Sequence, residues 1–310
     1  MMFPQLDEQW RLGRLTPPTG PVRMVLDTDT YNEIDDQFAL AYAILSPERV
    51  TLEAVYAAPF HNDLSTGPLD GMEKSYQEIL RIYDRFGLPS EGVVYRGSER
   101  YLPDAGVPVD SPAARDLVAR AMAMPDDEPL YVAAIGAITN VASAILLEPS
   151  IIRKIVVVWL GGHSHVWRDT NEFNLQQDLH AVRAVMDSGV PFVLIPCMGV
   201  ASHLITTLPE IEHYVRGRGA IGSFLAERYE ACSSNHFGYS RVIWDLSAVA
   251  YLVNPSAVLT DLIHSPLLSE HKTWSVHRGR HFIRSAYWVD RDSIFRDLFH
   301  KLDEHAKGKR

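Results

Sequence analysis

The sequence is poor in cysteine and lacks long apolar runs. It contains only Cys197 and Cys232, which are far apart and form neither a disulfide framework nor a metal-binding motif. No stretch approaches the roughly 20 apolar residues of a membrane-spanning helix, and the amino end has no signal-peptide core. We therefore expect a protein of a reducing compartment, the cytoplasm, with no membrane partner.

Clustered positive charge is also scarce. The 310 residues carry 29 Lys and Arg against 39 Asp and Glu, a formal net charge of −10. No basic run precedes the last few residues, which argues against nucleic acid and anionic membranes as partners. Because there is no repeat, low-complexity segment or composition break, we predict one domain over residues 1–310.

What the sequence has in excess is carboxylate in one short stretch. Four aspartates and a glutamate, Asp27, Asp29, Glu33, Asp35 and Asp36, lie within ten residues. So many carboxylates repel one another unless a cation sits among them. Oxygen-only ligands indicate a hard ion, calcium or magnesium, rather than zinc. Calcium suits an irregular site of six to eight oxygens better, and magnesium stays an alternative.

Two kinds of apolar pattern alternate along the chain. Continuous apolar runs, typical of strands buried on both faces of a parallel sheet, lie at residues 22–26, 52–57, 92–95, 130–134, 155–160 and 192–195. Helical spacing lies between them at residues 35–45, 71–86, 112–124, 140–147 and 177–188. This alternation predicts a doubly wound α/β fold with a mostly parallel sheet.

The carboxyl third is predicted to be more helical. Helices are expected at residues 208–231, 245–252 and 292–306. Two strand-like segments at residues 273–277 and 281–289 flank Arg278-Gly279-Arg280, which suggests a hairpin. The sheet is therefore expected to be mixed.

The residues just past parallel strands converge on one edge of the sheet. Beyond the first strand come the acids, and beyond later strands come Asn62, Thr139, Glu172 and Asn174, while Asp245 opens a later helix. This edge collects carboxylates, amides and hydroxyls with hardly any cation. Such a surface suits a metal ion and a polyhydroxylated ligand such as a sugar.

Each of these residues also has a structural explanation when it is taken alone. The acids before the first helix, Thr139 and Asp245 are all suited to capping helices, and the residues after the fifth strand fit a turn. His163 and His165 are zinc-ligand types, but no third histidine or cysteine lies nearby. Independent caps need not all fall on one edge of a sheet, so their coincidence favours a common site.

Four motifs, in this order, resemble the nucleoside hydrolases: the calcium-dependent inosine/uridine-preferring group and its purine-specific relatives. They are the aspartate cluster, Gly-Ala-Ile-Thr-Asn at residues 136–140, the pair Gly161-Gly162 with Glu-Phe-Asn at residues 172–174 and Asp178 after it, and Asp245 followed by Ala-Val-Ala-Tyr at residues 248–251. The resemblance covers about residues 22–255. It implies a Rossmann-like nucleoside hydrolase fold, a small nucleoside substrate and a homodimer or homotetramer.

The resemblance also implies a role for individual residues. Asp29, Asp36 and Asp245 would hold Ca²⁺ by their side chains, and Thr139 would hold it by its carbonyl. Asp29 would also take the proton of the attacking water. The ribose hydroxyls would be bound by Asp35, Asn62, Glu172, Asn174 and Asp245.

The chain departs from the family pattern in two places. Five residues, 30–34, separate Asp29 from Asp35, where the family usually has three that include a Pro-Gly pair. Glu33 and Asp35 therefore compete for one ribose contact, and we favour Asp35 because it adjoins Asp36. Second, the histidine that precedes the late aspartate in the inosine/uridine-preferring enzymes is replaced by Trp244, as in the purine-specific branch.

The expected activity is hydrolysis of the N-glycosidic bond of ribonucleosides, purine nucleosides in particular. An indole cannot donate a catalytic proton at neutral pH, but its face can stack on a purine and favour the protonated base. Trp244 is therefore expected in the catalytic set, with His236 and Tyr239 as candidate proton donors. The structural alternative is that Trp244 packs in the core, as tryptophans usually do.

Two other functions fit parts of the pattern. Asp27-Thr28-Asp29-Thr30 also resembles the Asp-x-Asp-x-Thr motif of haloacid-dehalogenase-type phosphatases, in which Asp27 would be the nucleophile and Asp29 a general acid. That fold needs a later lysine on a strand end, whereas Lys154 precedes a strand. A non-catalytic nucleoside- or sugar-binding relative is the other alternative, because the loop at residues 30–34 is altered.

Overall fold

The apolar runs form the strands of the central sheet. The computed structural model describes residues 3–308. In that part of the chain the strands are β1 (Val22–Thr28), β2 (Val50–Ala57), β3 (Val94–Arg96), β4 (Leu130–Ala134), β5 (Ile155–Leu160), β6 (Phe192–Ile195), β7 (Ile205–Thr206), β8 (Arg241–Val242), β9 (Val258–His264), β10 (Leu267–Leu268), β11 (Trp274–Ser275) and β12 (Phe282–Val289). Every residue of β4 and β5 is buried, which explains why these segments lack polar alternation.

The helices lie between these strands in sequence. They are α1 (Glu8–Arg14), α2 (Asp35–Ile44), α3 (Pro68–Phe86), α4 (Pro112–Ala123), α5 (Thr139–Leu147), α6 (Phe173–Gln177), α7 (Leu179–Ser188), α8 (Leu208–Tyr214), α9 (Gly219–Ala231), α10 (Leu246–Val253) and α11 (Arg291–Ala306). Ser111 caps α4 ahead of Pro112. Gly87 and Gly189 end α3 and α7 in the left-handed conformation, with φ of 66° and 76°.

The main sheet has eight strands in the order β3-β2-β1-β4-β5-β6-β12-β9. All neighbours run parallel except β12 and β9, which are antiparallel. Two buried apolar clusters lie on its two faces, one including Met24 and Leu26 and the other including Val25. The predicted doubly wound, mostly parallel α/β architecture is confirmed.

The chain reverses its direction of travel across the sheet between β1 and β4. From β1 it proceeds through β2 to β3, and it then returns to place β4 on the other side of β1. A doubly wound sheet binds its ligand at such a switch point, outside the carboxyl ends of the strands. The acidic segment after β1 lies at this position.

The carboxyl third differs from the prediction in three places. The helix predicted at residues 208–231 is two helices, α8 and α9, because Gly217 and Gly219 adopt φ of 77° and 73° between them. The segments predicted as one hairpin pair elsewhere, β11 with β10 and β12 with β9. Strand β9 was not predicted, because it is a half-exposed edge strand whose partner is distant in sequence.

The described residues contain no helix that is long and apolar enough to cross a membrane. The single domain over residues 1–310 stays a prediction. Its first two and last two residues lie outside the part of the chain that the structure describes.

Candidate active site at the carboxyl ends of the strands

A cavity of about 290 Å³ opens at the switch point of the sheet. Its wall includes six carboxylates, those of Asp29, Glu33, Asp35, Asp36, Glu172 and Asp245. Asn174 and Trp244 also line it. Of the residues predicted for the site, all but Asn62 and Thr139 therefore line one cavity.

Two helix amino ends bring the tightest group of acids together. Asp35 and Asp36 occupy the first turn of α2, where the helix dipole tolerates negative charge. Asp245 precedes α10, which packs against α2. One carboxylate oxygen from each of the three residues lies within 4.8 Å of the others, a spacing suited to one metal ion.

Burial and mutual repulsion raise the pKa values of these carboxylates. Burial is the largest cause that raises the pKa of Asp29, Asp35 and Asp245 well above the usual value, and the neighbouring acids raise it further. Across residues 3–308, no ion pair joins any of these acids or Asp36 to a lysine or arginine. Arg241 opposes the rise at Asp35 but is itself paired with Glu33 at 2.8 Å.

Asp29 lies outside the 4.8 Å group but shares its cavity. Its buried Oδ2 has no hydrogen-bond partner. An orphaned carboxylate oxygen beside three clustered carboxylates fits a hard divalent cation with oxygen ligands. The donor set of this site therefore suits the metal ion that the sequence predicts.

The Gly-Ala-Ile-Thr-Asn motif packs behind the aspartate cluster and contacts both Asp27 and Asp29. Asn140 donates from Nδ2 to Asp27 Oδ1 at 2.7 Å, and Asp27 does not line the cavity. Gly136 packs so closely that a Cβ there would lie 3.0 Å from the Asp29 carboxyl carbon. These contacts fit a supporting role for Asp27.

Thr139 and Asp178 form a second buried contact behind the wall. Thr139 donates from Oγ1 to Asp178 Oδ2 at 2.7 Å, and the same oxygen accepts from the backbone of Leu102. Asp178, which the motif contained without a role, therefore orients the first turn of α5. Thr139 lies at the start of that helix, and the structure leaves its predicted metal contact untested.

The Glu-Phe-Asn motif is fixed by backbone groups. The carboxylate of Glu172 accepts from the N–H groups of Gly162 and Leu175 at 2.8 and 3.0 Å, and also from Asn174. Asn174 donates from Nδ2 to the carbonyls of Ile135 and Leu160, both at 3.1 Å. The two side chains are thus held rigidly in the cavity wall between β4 and β5.

Position 162 in this motif also requires glycine for steric reasons. Its φ is 66°, and a Cβ there would lie 2.4 Å from Thr170 Oγ1. Thr170 Oγ1 accepts from the backbone N–H of His163 at 2.8 Å. Glycine at this position therefore allows the loop after β5 to fold back over the cavity.

Trp244 both lines the cavity and packs partly against the core. Its predicted role and its structural alternative are therefore compatible. The candidate donors His236 and Tyr239 do not line the cavity. Neither His163 nor His165 belongs to a group of three close metal-ligating side chains among the residues described.

Sequence reasoning missed several cavity residues, chiefly Asn32, His163, Asn171, Cys197 and Met198. Asn32 was hidden in the altered loop, and His163 had been considered only as a zinc ligand. Cys197 and Met198 follow β6, and their position just past a strand end is the signal that could have identified them.

A family model described as inosine-uridine preferring nucleoside hydrolase matches residues 24–295. A pyrimidine-specific ribonucleoside hydrolase, RihB, from Shigella flexneri serotype 5b is 27% identical over 144 residues, which are 44% of this chain and 46% of that relative. The chain thus spans about half the length of this curated relative.

Two longer matches cover most of the chain. A probable uridine nucleosidase 2 from Arabidopsis thaliana is 23% identical over 265 residues, 78% of each protein. The solved structure of a purine-preferring ribonucleoside hydrolase from Gardnerella vaginalis superposes with a TM-score of 0.71 at 22% identity, covering 92% of this chain and 99% of that one. This structural match supports the fold.

Proposed function

The chain belongs to the inosine-uridine preferring nucleoside hydrolase family, and we propose that it hydrolyses the N-glycosidic bond of ribonucleosides, purine ribonucleosides in preference. The observation that carries the proposal is the cluster of buried carboxylates with which no lysine or arginine of residues 3–308 forms an ion pair. Fixed carboxylates and amides beside the cluster suit the hydroxyls of a sugar.

We assign the cluster to Ca²⁺. Asp29, Asp36 and Asp245 would hold the ion by their side chains, and Thr139 would contribute its carbonyl. When bound, the ion supplies charge that neutralises the acids and lowers the pKa of a water molecule. Unpartnered Asp29 Oδ2 and the spacing of Asp36 and Asp245 support this assignment.

Asp29 is the general base in this proposal. It accepts one proton from the attacking water as the water oxygen bonds to the anomeric carbon of the ribose and the bond to the base nitrogen breaks. The base leaves with the bonding electron pair and takes a proton from solvent water. Asp35, Glu172 and Asn174 hold the ribose hydroxyls, which keeps the sugar in a reactive geometry.

Trp244 carries the proposed purine preference. Its face can stack on a purine, and stacking on an aromatic side chain is worth about 1–3 kcal/mol per base in other settings. The names of the relatives include pyrimidine-specific and purine-preferring enzymes, so family membership leaves the base open. The absence of a histidine beside Asp245 in the sequence favours the purine assignment.

The deciding experiment measures release of ribose from inosine, adenosine, guanosine, uridine and cytidine in the presence of calcium. We expect all three purine nucleosides to be cleaved faster than uridine or cytidine. A preference for uridine would overturn the purine assignment. Nucleoside binding without turnover would instead establish the non-catalytic alternative.

The role of Trp244 has its own test. Trp244→Ala should lower the rate on inosine more than the rate on a nitrophenyl riboside, whose leaving group needs no protonation. Trp167→Ala is the matched control, since Trp167 is a loop tryptophan outside the cavity wall. Equal losses on both substrates would reduce Trp244 to a packing residue.

The phosphatase alternative loses support from the position of Lys154. This lysine lies at the amino end of β5, opposite the cavity, where Nζ donates to the carbonyl of Met124 at 2.8 Å and pairs with Asp126. A phosphoryl group trapped on Asp27 would restore that alternative. We further propose a homodimer or homotetramer in the cytoplasm, which sedimentation and cell fractionation would test.

A further inference from the structure

The longer loop after β1 brings its own side chains to the cavity. Residues 30–34 replace the shorter Pro-Gly loop of the family, and Asn32 and Glu33 line the cavity wall. Asn62, which the resemblance assigned to the ribose, does not line it. The loop has therefore introduced an amide at the cavity on the side where Asn62 was expected.

Asn62 uses both ends of its side chain within the protein. Its Oδ1 accepts from the backbone N–H of Leu64 at 2.8 Å. Its Nδ2 donates to Asn32 Oδ1 at 2.6 Å. One N–H of Nδ2 and one lone pair of Oδ1 remain unused, but Asn62 does not line the cavity, and its side chain is linked to the cavity wall through Asn32.

This pair of bonds also fixes which way Asn32 points. A backbone N–H can only donate, so the Asn62 atom facing Leu64 is the oxygen and the other end is the amide nitrogen. The Asn32 atom that meets this nitrogen must then be its oxygen. Asn32 is left with its Nδ2 donor, for which the described residues offer no hydrogen-bonded acceptor.

The loop is held firmly enough to position that donor. The backbone N–H of Asn32 donates to the Asp29 carbonyl at 2.8 Å, and Gln37 donates from Nε2 to the Thr30 carbonyl at 2.8 Å. Arg241 pairs with Glu33 at 2.8 Å. The loop is therefore tied at its start, its middle and its far side.

We propose that Asn32, and not Asn62, contacts the bound ribonucleoside by donating from Nδ2 to an acceptor oxygen of the sugar, and that Asn62 is a positioning residue that orients the Asn32 amide. This inference rests on the proposed function, because it requires a nucleoside in the cavity. It departs from the direct Asn62 contact that the resemblance implied. The two residues act as one unit.

The test is a double-mutant cycle with Asn32→Ala, Asn62→Ala and the double variant. The readouts are kcat and KM for inosine hydrolysis and the calorimetric Kd of inosine. Each single change should lower kcat/KM about tenfold, the usual effect of losing one hydrogen bond to a substrate. The double variant should lose no more than Asn32→Ala alone, since residues that act through one contact are not additive.

Ser65→Ala is the matched control. Ser65 Oγ accepts from the Asn62 backbone N–H at 3.3 Å and donates to the Phe60 carbonyl at 3.1 Å. This change perturbs the same turn but leaves the Asn62–Asn32 amide bond intact, so kcat/KM should stay within about twofold of the wild type. A tenfold loss in this control would make the effect of Asn62 a general loosening of the turn and would overturn the proposal.

Other outcomes are equally decisive. A loss in Asn62→Ala with none in Asn32→Ala would show that Asn62 contacts the substrate itself. Multiplying losses in the double variant would show two independent contacts. If the wild type binds inosine without cleaving it, hydrolysis fails as the function while the Kd cycle still tests the pair, and a wild type that does not bind any nucleoside overturns both.

Discussion

The two ends of helix α2 treat buried charge in opposite ways. Near its carboxyl end, the buried ammonium of Lys301 donates to Ser46 Oγ at 2.8 Å and pairs with Glu48 at 2.6 Å and Asp297 at 3.1 Å. It also lies over the ring of Tyr42, 5.4 Å from the ring centre. The buried ammonium of Lys301 therefore has polar and anionic partners within the protein.

The acidic cluster at the amino end of α2 has no such cation among the described residues. Asp35 and Asp36 are buried beside Asp245, and no ion pair to lysine or arginine neutralises them in residues 3–308. Burying like charges together costs stability unless a cation joins them. Lys301 has its partners within the protein, whereas the acids at the amino end have no lysine or arginine partner among the described residues, and the proposed metal site rests on that difference.

The largest effect on the acidic cluster is expected from Asp29→Asn. Turnover of inosine should fall about 1000-fold or more, because the variant loses a general base and a carboxylate ligand. The melting temperature of the calcium-free protein should not fall, since one repelling charge is gone. Stopped and continuous ribose assays with calorimetry check both expectations.

Asp27→Asn is the matched control for that change. It keeps an oxygen able to accept from Asn140 and lies behind the cavity wall. Its loss of turnover should be clearly smaller than that of Asp29→Asn. The reverse order would contradict the assignment of Asp29 as the base and favour chemistry at Asp27.

Calcium should stabilise the folded protein through the amino end of α2. An ion present at 100 times its Kd adds about 2.7 kcal/mol to the free energy of unfolding, or roughly 5 °C in a protein of this size. Asp245→Asn should lose most of this calcium-dependent shift in a thermal melt. An undiminished shift in that variant would place the ion elsewhere.

The carboxyl end of α2 should show a change in stability alone. Lys301→Met removes the cation from its cluster and should lower the free energy of unfolding by about 2 kcal/mol, below the range for fully buried pairs because Glu48 and Asp297 are half-exposed. Turnover per folded molecule should be unchanged. Lys307→Met removes an exposed pair with Asp303 at the end of α11, the helix that carries Lys301, and should change the free energy of unfolding by no more than about 0.5 kcal/mol in denaturant titrations.

The smallest expected effect belongs to Glu33. Glu33 lies at the cavity edge and Asp35 is buried in the cluster. Glu33→Gln should change KM for inosine about two- to threefold, whereas Asp35→Asn should abolish most of the rate. The opposite pattern in steady-state kinetics would mean that Glu33 takes the ribose contact.

The sequence was sufficient for the parallel part of the sheet. Fully buried strands such as β4 and β5 leave continuous apolar runs, and the loop after β1 concentrates its acids in ten residues. Edge strand β9 escaped prediction because one face meets solvent and its partner β12 follows in a later part of the chain. Local pattern carries no information on such pairings.

The site was predictable where it depends on motifs and unpredictable where it depends on loop geometry. Two motif acids, Asp27 and Asp178, lie behind the cavity wall. The other predicted side chains that line the cavity are Asp29, Asp35, Asp36, Glu172, Asn174, Trp244 and Asp245. Asn32 lines the cavity wall where Asn62 was predicted. This difference depends on the conformation of the longer loop, which hydrogen bonds to residues outside the loop determine. No spacing in the sequence encodes those bonds.

Calcium dependence of nucleoside hydrolysis tests the central claim most directly. Ribose release from inosine should be measured on one preparation with calcium, then with excess chelator, and then after calcium is restored. We predict that activity disappears with the chelator and returns with calcium, because the clustered acids cannot act without the ion. Equal turnover of inosine in excess chelator would contradict the account.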